Sequence, residues 1–495
     1  MILSSAIPNT HGMNTSSIRN ENNKSILALI GLITLAGLLR YLFITGMDVS
    51  EFDPWRHLSL INNIRNGSGF TLFDGQPYFW YNGIWYHLAS LFTPADNAAW
   101  LSAALSIAAM AVFFQFLLRT EQTFAVALAG GLMMASYGPL IHFTSGYGSE
   151  SFALLLVLLS CLLATYQPSR TATIAAGILF GIALLARINF LFSFFMLLPL
   201  LKGRMSRLLF LIAVATVIMA GWWHNHTIIN THPYLFTVDG MATRSSDYNF
   251  ISTLVPQLHP DVASAMLTLH RQIAPLPFDL SIVGRAAWGN IAFIVLGTGC
   301  VLATGRLWLI IATLAPLVYF GLFDTTLSTN FFRIYLALFP QLFIGIAVVC
   351  GRIRLSTLVR GGIARFIWLS LILTVLLTGL PYLRPFPMPV PEAVTPPPEL
   401  MTREYYMVNS GFYHPESLIH RYPCKRFIGM PLDPAQFEEF SRHYPQYTTI
   451  IWHQQFSVQD ALLRYLTASG GYRIVDGATN MAGVNYLLLE KNKGN

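Results

Sequence analysis

Reactive side chains are concentrated in residues 51–57, which read Glu-Phe-Asp-Pro-Trp-Arg-His. Glu51 and Asp53 supply carboxylates, and Arg56 and His57 supply a guanidinium and an imidazole. Carboxylates take up protons and bind divalent cations, whereas a guanidinium binds phosphate. The stretch therefore predicts a catalytic segment, although a solvated loop in which Asp53 only caps the following helix accounts for the same residues.

Three more charged residues could act together with this segment as acids or as phosphate ligands. Glu150 begins an apolar run, where the helix dipole stabilises a carboxylate with or without a catalytic role. Arg187 lies between two apolar helices, where it either extends to lipid headgroups or binds an anionic phosphate. Arg333 lies near the outer end of a late apolar span. Because charged groups at membrane borders tend to line sites, we expect Glu150 to face Asp53 across a cavity.

Aromatic and histidine side chains accompany these charges. Residues 78–87 contain a run of Tyr, Phe and Trp that is typical of an interfacial belt and equally suited to stacking on sugar rings. Residues 221–227 hold two histidines spaced two apart, which is a weak signal for a metal site. The predicted substrate-binding residues are His57, Trp80, Trp85, His142, Trp222, His224 and Asp239.

The composition of the 495 residues places these groups in a membrane protein. Hydrophobic residues make up 54% of the chain and charged residues 11%, against about 25% charged in soluble domains. Apolar runs of spanning length recur about eleven times, which predicts an all-α polytopic fold. The predicted spans lie near residues 25–45, 97–118, 122–140, 151–166, 171–187, 189–201, 206–223, 286–304, 306–323, 331–350 and 364–381.

Basic residues set the predicted orientation. Arg119, Arg170 and Arg306 fall in alternate short loops, together with clusters at 202–207 and 352–365, and the positive-inside rule makes that side cytoplasmic. The net charge of +7 follows from these loops and does not indicate a nucleic-acid partner. The four cysteines show no pairing pattern. We expect a multi-pass protein of the inner or plasma membrane with its C-terminus outside.

The sequence also predicts how the chain is divided. The first external loop should carry a surface helix from Asp53 to Arg65, ended by the glycines of residues 66–69. The tail should contain strands at 448–452, 472–475 and 486–490 and a helix at 457–466. The predicted units are a disordered N-terminus (1–24), a membrane unit (25–384) with external loops 46–96 and 224–285, a proline-rich linker (385–398) and a small extracytoplasmic α/β domain (399–495).

Acids and arginines gathered on one side of the membrane suit group transfer from an anionic lipid carrier. A carboxylate takes a proton from the acceptor, and the arginines stabilise the departing phosphate. A divalent cation held by Asp53 and Glu150 would share that second role.

Residues 51–67 resemble the first external loop of the oligosaccharyltransferase catalytic subunits, which are GT-C glycosyltransferases that use polyprenyl-linked sugar donors. Residues 145–150 fall where that family has a second acidic motif, and residues 330–335 resemble its late arginine-bearing span. Residues 221–227 are similar to a Trp-Asn loop of the wider GT-C group. The resemblance covers most of residues 25–350 in order.

The resemblance implies roles for individual residues. Asp53 would be the essential carboxylate, acting as base and metal ligand, with Glu51 and Glu150 as further catalytic acids. Arg333 would grip the donor phosphate, and Arg187 would match an arginine of the wider group. Arg56 is the third predicted phosphate ligand, and Mg or Mn is the implied cofactor.

The chain departs from the oligosaccharyltransferases in three respects. Ser149 and Ser151 occupy the positions of the two acids in the second motif, with Glu150 between them. Residues 223–283 contain no glutamate, and the tail lacks the Trp-Trp-Asp-Tyr-Gly acceptor motif. These departures favour a related polyprenyl-phosphate-sugar transferase whose acceptor is a lipid-linked glycan, a cell-surface polysaccharide or a protein.

Two other functions fit part of the pattern. A flippase or transporter of lipid-linked glycans would show related halves and broken helices at mid-membrane, and the sequence shows no internal repeat. A non-catalytic scaffold that binds polyprenyl lipids would tolerate serine at positions 149 and 151. A glycosyltransferase whose partners are the lipid-linked donor, membrane lipids and the acceptor remains the main prediction.

Overall fold

The structure is a computed structural model, and it describes most of the helical part of the chain and of the tail. For residues 52–56 it describes the backbone but not the side chains. The described residues are 15–45, 52–71, 83–92, 97–166, 169–236, 242–247, 257–258, 282–324, 334–352, 398–409, 422, 425–454, 460–468, 471–479 and 485–492.

Each span predicted between residues 25 and 350 coincides with a helix or a group of short helices. Three described helices are long and apolar enough to cross a bilayer, or four if one bent pair counts as a span, so the predicted number of about eleven is not confirmed. The predicted span 364–381 and residues 385–397 of the predicted linker lie outside the described residues. The helices are α1 (Thr15–Thr45), α2 (Phe52–Arg65), α3 (Ile84–Ser90), α4 (Ala98–Glu121), α5 (Phe124–Ser136), α6 (Gly138–Thr144), α7 (Glu150–Ala164), α8 (Arg170–Ala186), α9 (Phe194–Leu197), α10 (Arg204–Thr231), α11 (Ile282–Thr304), α12 (Leu307–Leu322) and α13 (Phe339–Arg352).

Two boundaries differ from the sequence prediction. Helix α1 begins at Thr15, so part of the stretch predicted to be disordered is helical. Helix α10 continues to Thr231, so His224 and His226 lie on a helix and not in an external loop. In both cases a polar stretch extends an apolar helix, because the neighbouring turns supply the backbone hydrogen bonds that propagation needs.

The third predicted span contains a break that hydrophobicity does not predict. Helices α5 and α6 meet at an angle of 58°, with Tyr137 in an extended conformation between them and Pro139 in the first turn of α6. Proline has no N–H and its ring clashes with the preceding turn, so it bends a helix at this point. The dipeptide Gly138-Pro139 is the signal for the break in the sequence.

Glycine brings two neighbouring helices of the bundle into close contact. A Cβ atom at Gly177 of α8 would lie 2.7 Å from both the Phe210 carbonyl oxygen and the Ala213 Cβ of α10, and one at Gly181 would lie 2.8 Å from Val217. Small residues four apart let two helix backbones approach in this way. The α8–α10 contact therefore depends on these glycines.

Outside the bundle, the tail forms a five-stranded sheet. The order is β6-β5-β7-β9-β8, with β5 parallel to β6 and β7, and β9 antiparallel to β7 and β8. The three predicted strands are confirmed as β7 to β9, whereas β5, β6 and α14 are additional to the prediction. The elements are β5 (Tyr405–Val408), β6 (Arg426–Gly429), α14 (Pro434–His443), β7 (Thr449–Gln454), α15 (Asp460–Ala468), β8 (Tyr472–Thr479) and β9 (Asn485–Lys491).

Helix α14 has a start signal in the sequence. The Asp433 carboxylate accepts a hydrogen bond from the Gln436 backbone N–H at 3.0 Å, and Pro434 occupies the first helical position. An aspartate cap followed by proline is a favoured way to begin a helix. The same two residues thus mark the start of α14 in the sequence and in the structure.

The tail is held against a hairpin that follows α10. Strands β1 (Tyr234–Phe236) and β2 (Ala242–Arg244) form this antiparallel hairpin, and a second antiparallel pair joins β3 (Gln257–Leu258) to β4 (Phe323–Asp324). Tyr234 is buried and its ring lies 5.2 Å from that of Phe440 and 6.2 Å from that of Tyr444. Burial, followed by the nearby Glu439 carboxylate, raises the pKa of Tyr234 to about 12. The phenol is therefore neutral at physiological pH and acts as an apolar anchor.

Replacing Gly177 with alanine should destabilise the bundle. The new methyl group meets backbone in α10, which cannot move without shifting the helix, and overpacking of this kind costs about 1–3 kcal/mol. The midpoint of thermal unfolding in detergent measures the effect. Gly299→Ala is the matched control because no atom lies within 4 Å of its Cβ position; equal midpoints for the two variants would contradict the prediction.

Tyr234, and not the salt bridge beside it, should hold the tail on the hairpin. Tyr234→Ala removes a buried ring and should cost about 3–5 kcal/mol. Arg244 contacts Glu439 at 2.6 Å, but both side chains are about 40% exposed, so Arg244→Ala should cost only ~0–1 kcal/mol. Hydrogen exchange of residues 434–443 distinguishes the two, and faster exchange in Arg244→Ala than in Tyr234→Ala would refute this ranking.

Candidate functional site

An ion pair between two predicted site residues lies at the end of helices α7 and α8. Glu150 is the first residue of α7 and is 2% exposed, and Arg187 follows the last residue of α8 and is 12% exposed. The Arg187 Nη2 atom donates to the Glu150 Oε1 atom at 2.5 Å. The pairing neutralises two charges that would each be costly to bury alone.

Serine hydroxyls strengthen the same junction. The Ser149 Oγ atom donates to the Ala186 carbonyl oxygen at 3.2 Å, which is one of the acceptors left over at the end of α8. The side chains of Ser145 and Ser151 are fully buried close to it in sequence. The positions that carry acids in the second motif of the oligosaccharyltransferases thus hold small buried hydroxyls here, one of which binds backbone.

The Glu150–Arg187 pair adjoins a segment from the late part of the chain. A 3-10 helix at Ile188–Ser193, directly after Arg187, contacts a second 3-10 helix at Ile334–Ala337, and that second helix also contacts α7. Arg333 is the residue before Ile334 and lies outside the described residues. The fold therefore brings the chain segment that follows Arg333 to the end of the bundle where the ion pair lies.

Helices α2 and α3 connect the Asp53 segment to the same region. The predicted helix Asp53–Arg65 is confirmed as α2, which begins one residue earlier. His57 is buried, and its Nδ1 atom lies 2.8 Å from the Tyr86 hydroxyl of α3. The Trp85 Nε1 atom donates to the Tyr147 carbonyl oxygen at 3.0 Å, three residues before Glu150. Two side-chain hydrogen bonds thus connect the helix of Asp53 with the start of α7.

These contacts indicate that His57 and Trp85 stabilise the fold. Both Trp85 and Tyr86 are fully buried, so in this structure Trp85 is a packing residue and not an exposed sugar platform or part of an interfacial belt. Tyr86 and Tyr147 are not among the residues predicted from the sequence. Their signal there is weak, because tyrosines beside tryptophan or glycine are as typical of membrane interfaces and turns as of buried contacts.

The remaining described candidates make contacts on α6 and α10. His142 of α6 packs edge-on against Phe43 at 5.4 Å and Phe143 at 4.9 Å. On α10, Trp222 is 40% exposed and stacks on His226 at 5.0 Å, and His224 is also exposed. Their substrate-binding roles stay predictions.

Several predicted residues cannot be placed. Asp53 and Arg56 lie in α2 by their backbone, and their side chains are outside the described part of the structure. Glu51, Trp80, Asp239 and Arg333 are outside the described residues altogether. Their roles in catalysis, phosphate binding and substrate binding remain predictions from the sequence.

The structure describes one side chain of the predicted metal site. Glu150 contacts a guanidinium, and the Asp53 side chain lies outside the described residues. Among the described residues, no group of three or more His, Cys, Asp or Glu side chains could hold a metal ion. The Mg or Mn site predicted from Asp53 and Glu150 stays a prediction.

Comparison with solved structures identifies the architecture. ArnT from Cupriavidus metallidurans, in a crystal structure bound to undecaprenyl phosphate, matches with a TM-score of 0.50 at 11% identity, covering 93% of this chain and 97% of ArnT. The apo oligosaccharyltransferase of Archaeoglobus fulgidus matches with a TM-score of 0.47 at 14% identity, covering 86% of this chain and 69% of that one. The sequence matches no protein-family model and no curated protein. The likeness to ArnT shows a shared fold, as the resemblance predicts.

Breaking the Glu150–Arg187 pair on one side should destabilise the junction of α7 and α8. Glu150→Gln and Arg187→Met each leave one buried charge unpaired, which should cost about 3–5 kcal/mol. The double variant Glu150→Gln/Arg187→Met removes both charges and should recover part of that loss. Thermal midpoints in detergent give the coupling energy, and strictly additive losses would show that the pair does not act as a unit.

Proposed function

We propose that this protein is an integral-membrane glycosyltransferase that moves a sugar or glycan from a polyprenyl-(di)phosphate donor to an acceptor on the outer face of the membrane. The acceptor is a cell-surface polysaccharide, a lipid-linked glycan or a protein. In this proposal the tail lies on the extracytoplasmic side, as the basic loops indicate.

One observation carries the proposal. The chain has the GT-C fold over nearly its whole length, and at one end of the bundle that fold brings Glu150 and Arg187 into contact beside the segment that follows Arg333. Hydrogen bonds through Tyr86 and Trp85 connect the Asp53 helix to the same end. These contacts support a shared site for the acidic and basic segments that the sequence selected.

The proposed reaction is a displacement at the anomeric carbon of the donor. The acceptor hydroxyl oxygen forms a bond to that carbon while the bond from the carbon to the phosphate oxygen breaks. The hydroxyl proton passes to the Asp53 carboxylate, and the polyprenyl (di)phosphate leaves with the electron pair. Arg333 and Arg56 stabilise the negative charge that develops on the phosphate.

The ion pair changes the roles proposed for Glu150 and Arg187. A guanidinium that already holds a buried carboxylate at 2.5 Å has less charge to offer a phosphate. A carboxylate that is held in this way is also less free to contact an acceptor hydroxyl. We therefore assign the pair to fixing the ends of α7 and α8, with Arg187 contributing positive potential and Asp53 remaining the proposed base.

The same pairing gives some support to the non-catalytic alternative. A scaffold that binds polyprenyl phosphate needs an arginine-bearing pocket, and it does not need a free carboxylate. Donor binding without transfer would identify this function, whereas a flippase would move the lipid-linked sugar between leaflets without transferring it.

Glycosyl transfer in membranes tests the proposal. With radiolabelled polyprenyl-phosphate sugars as donors, the wild type should transfer label, and Asp53→Asn should lose at least about 100-fold in rate because a general base contributes 10²–10⁴-fold. Glu399→Gln, which alters an exposed carboxylate in the tail segment, should retain full activity.

An EDTA arm tests the metal separately. Activity that survives EDTA would argue against the predicted Mg or Mn cofactor, and activity lost with EDTA and restored by Mg or Mn would show that transfer needs a divalent cation. Unchanged transfer by Asp53→Asn would refute the role of Asp53 as base. No transfer by the wild type from any donor would leave the lipid-binding alternative.

A further inference from the structure

Arg40 is an arginine in the interior of the first span, and the proposed reaction does not use it. It is 1% exposed. Its Nε and Nη2 atoms donate to the Ser106 Oγ atom of α4 at 3.0 and 2.8 Å. Its Nη1 atom donates to the carbonyl oxygens of Ala36 at 3.2 Å and Ala135 at 3.1 Å, and Nη2 reaches Met134 at 3.5 Å. The guanidinium thus bridges α1, α4 and the end of α5.

The break between α5 and α6 accounts for the need for Arg40 there. In a continuous helix, the Ala135 carbonyl oxygen would accept from the backbone N–H of residue 139, but Pro139 has none. A carbonyl without a donor is costly in the apolar interior of a membrane protein. Arg40 supplies the donor that Pro139 lacks, and its positive charge lies at the negative end of the α5 dipole.

A second set of contacts joins Arg40 to α6. The Ser106 hydroxyl lies 2.7 Å from the Thr144 hydroxyl, which donates to the Leu140 carbonyl oxygen at 2.6 Å. Leu39 and Phe43 of α1 form a small apolar cluster with Ile141 of α6. Helix α6 is therefore held against the outer part of α1 by both polar and apolar contacts.

We propose that Arg40 is a positioning residue that keeps the α5–α6 break bent and thereby fixes α6 and the start of α7 relative to α1. Helix α1 leads into the segment that carries Asp53, and α6 leads through residues 145–149 to Glu150. The guanidinium thus sets the distance between the two acidic segments of the proposed site. The kinetic test of this inference rests on the proposed function. The hydrogen-exchange test of the α5–α6 break does not.

The shape of the guanidinium decides which substitutions should fail. Its planar fork reaches Ser106 and the Ala135 carbonyl oxygen at once, whereas the lysine ammonium is a single point that cannot span both. Arg40→Lys keeps the charge and loses the bridge, and Arg40→Met keeps an apolar chain and loses every donor. The break should therefore loosen slightly in the lysine variant and strongly in the methionine variant.

The first measurement is independent of activity. In Arg40→Met, amide hydrogen exchange over residues 138–150 should accelerate relative to wild type, while exchange in α8 and in the tail sheet stays unchanged. Arg170→Met is the matched control, because Arg170 is exposed at the first residue of α8. Unchanged exchange in Arg40→Met, or an equal change in Arg170→Met, would overturn the inference whether or not the protein transfers sugar.

The second measurement uses transfer kinetics and a compensating change. In Arg40→Met, kcat should fall about 10- to 100-fold through misplacement of the acidic segments, while KM changes less than about threefold because the donor ligands remain. Arg40→Lys should fall between this variant and wild type. A wild-type kcat in Arg40→Lys would overturn the need for a forked donor.

Adding Pro139→Ala separates positioning from plain stabilisation. The new N–H at position 139 can satisfy the Ala135 carbonyl oxygen, so the thermal midpoint of Arg40→Met/Pro139→Ala should return toward wild type. The helix then tends to straighten, and kcat should stay low. Recovery of kcat together with the midpoint would show that Arg40 only stabilises the span. If wild-type protein transfers no sugar, the proposed function fails and the exchange experiment alone decides the role of Arg40.

Discussion

The structure depends on one physical constraint: a polar group buried in the bundle must find its hydrogen-bond partner inside the chain, because lipid offers none. Arg40 and the Ala135 carbonyl oxygen meet this constraint at the α5–α6 break. Glu150 and Arg187 meet it at the ends of α7 and α8. Because neither partner can turn to solvent instead, each pair fixes the relative position of the helices that carry it.

The two polar junctions and the glycine contacts have different effects on helix packing. Gly177 and Gly181 let α8 approach α10 through backbone and small side chains, which sets the spacing of helices without specifying chemistry. The ion pair then neutralises charge at the end of α8. The spacing of α8 and α10 is therefore set by close apolar contacts, whereas the polar junctions determine where particular side chains lie.

Outside the bundle, burial of apolar side chains holds the segments together, as in the core of a soluble protein. One apolar cluster includes Leu58 and Ile61 of α2, Trp85 and Tyr86 of α3, Tyr234 of the hairpin and the interior of the tail sheet. The external segments therefore share an interior with the tail. The Asp53 helix gains its orientation from this shared core and from the hydrogen bonds of His57 and Trp85, and the following glycine turn ends it.

Sequence patterns are most informative where one local rule suffices. The spacing of Leu58, Ile61 and Ile64 and the glycines after Arg65 predict α2, and runs of strand-forming residues predict strands β7 to β9. They are least informative where two rules compete or where the element is short. In residues 122–140, continuous hydrophobicity outweighs Gly138-Pro139 and conceals the break. Asp433-Pro434 precedes a short helix whose buried residues, Phe437 and Phe440, cover a single turn.

The sequence by itself determined that the chain is an apolar helical protein with most of its acids and arginines near the ends of the apolar runs, because composition and periodicity are local properties. Only the tertiary structure decided the partners: that Glu150 holds Arg187, that Trp85 is buried and donates to Tyr147, and that Arg40 caps a carbonyl of α5 far along the chain. A sequence shows which groups would be costly to bury alone, but the choice of partner depends on how helices distant in the chain pack together.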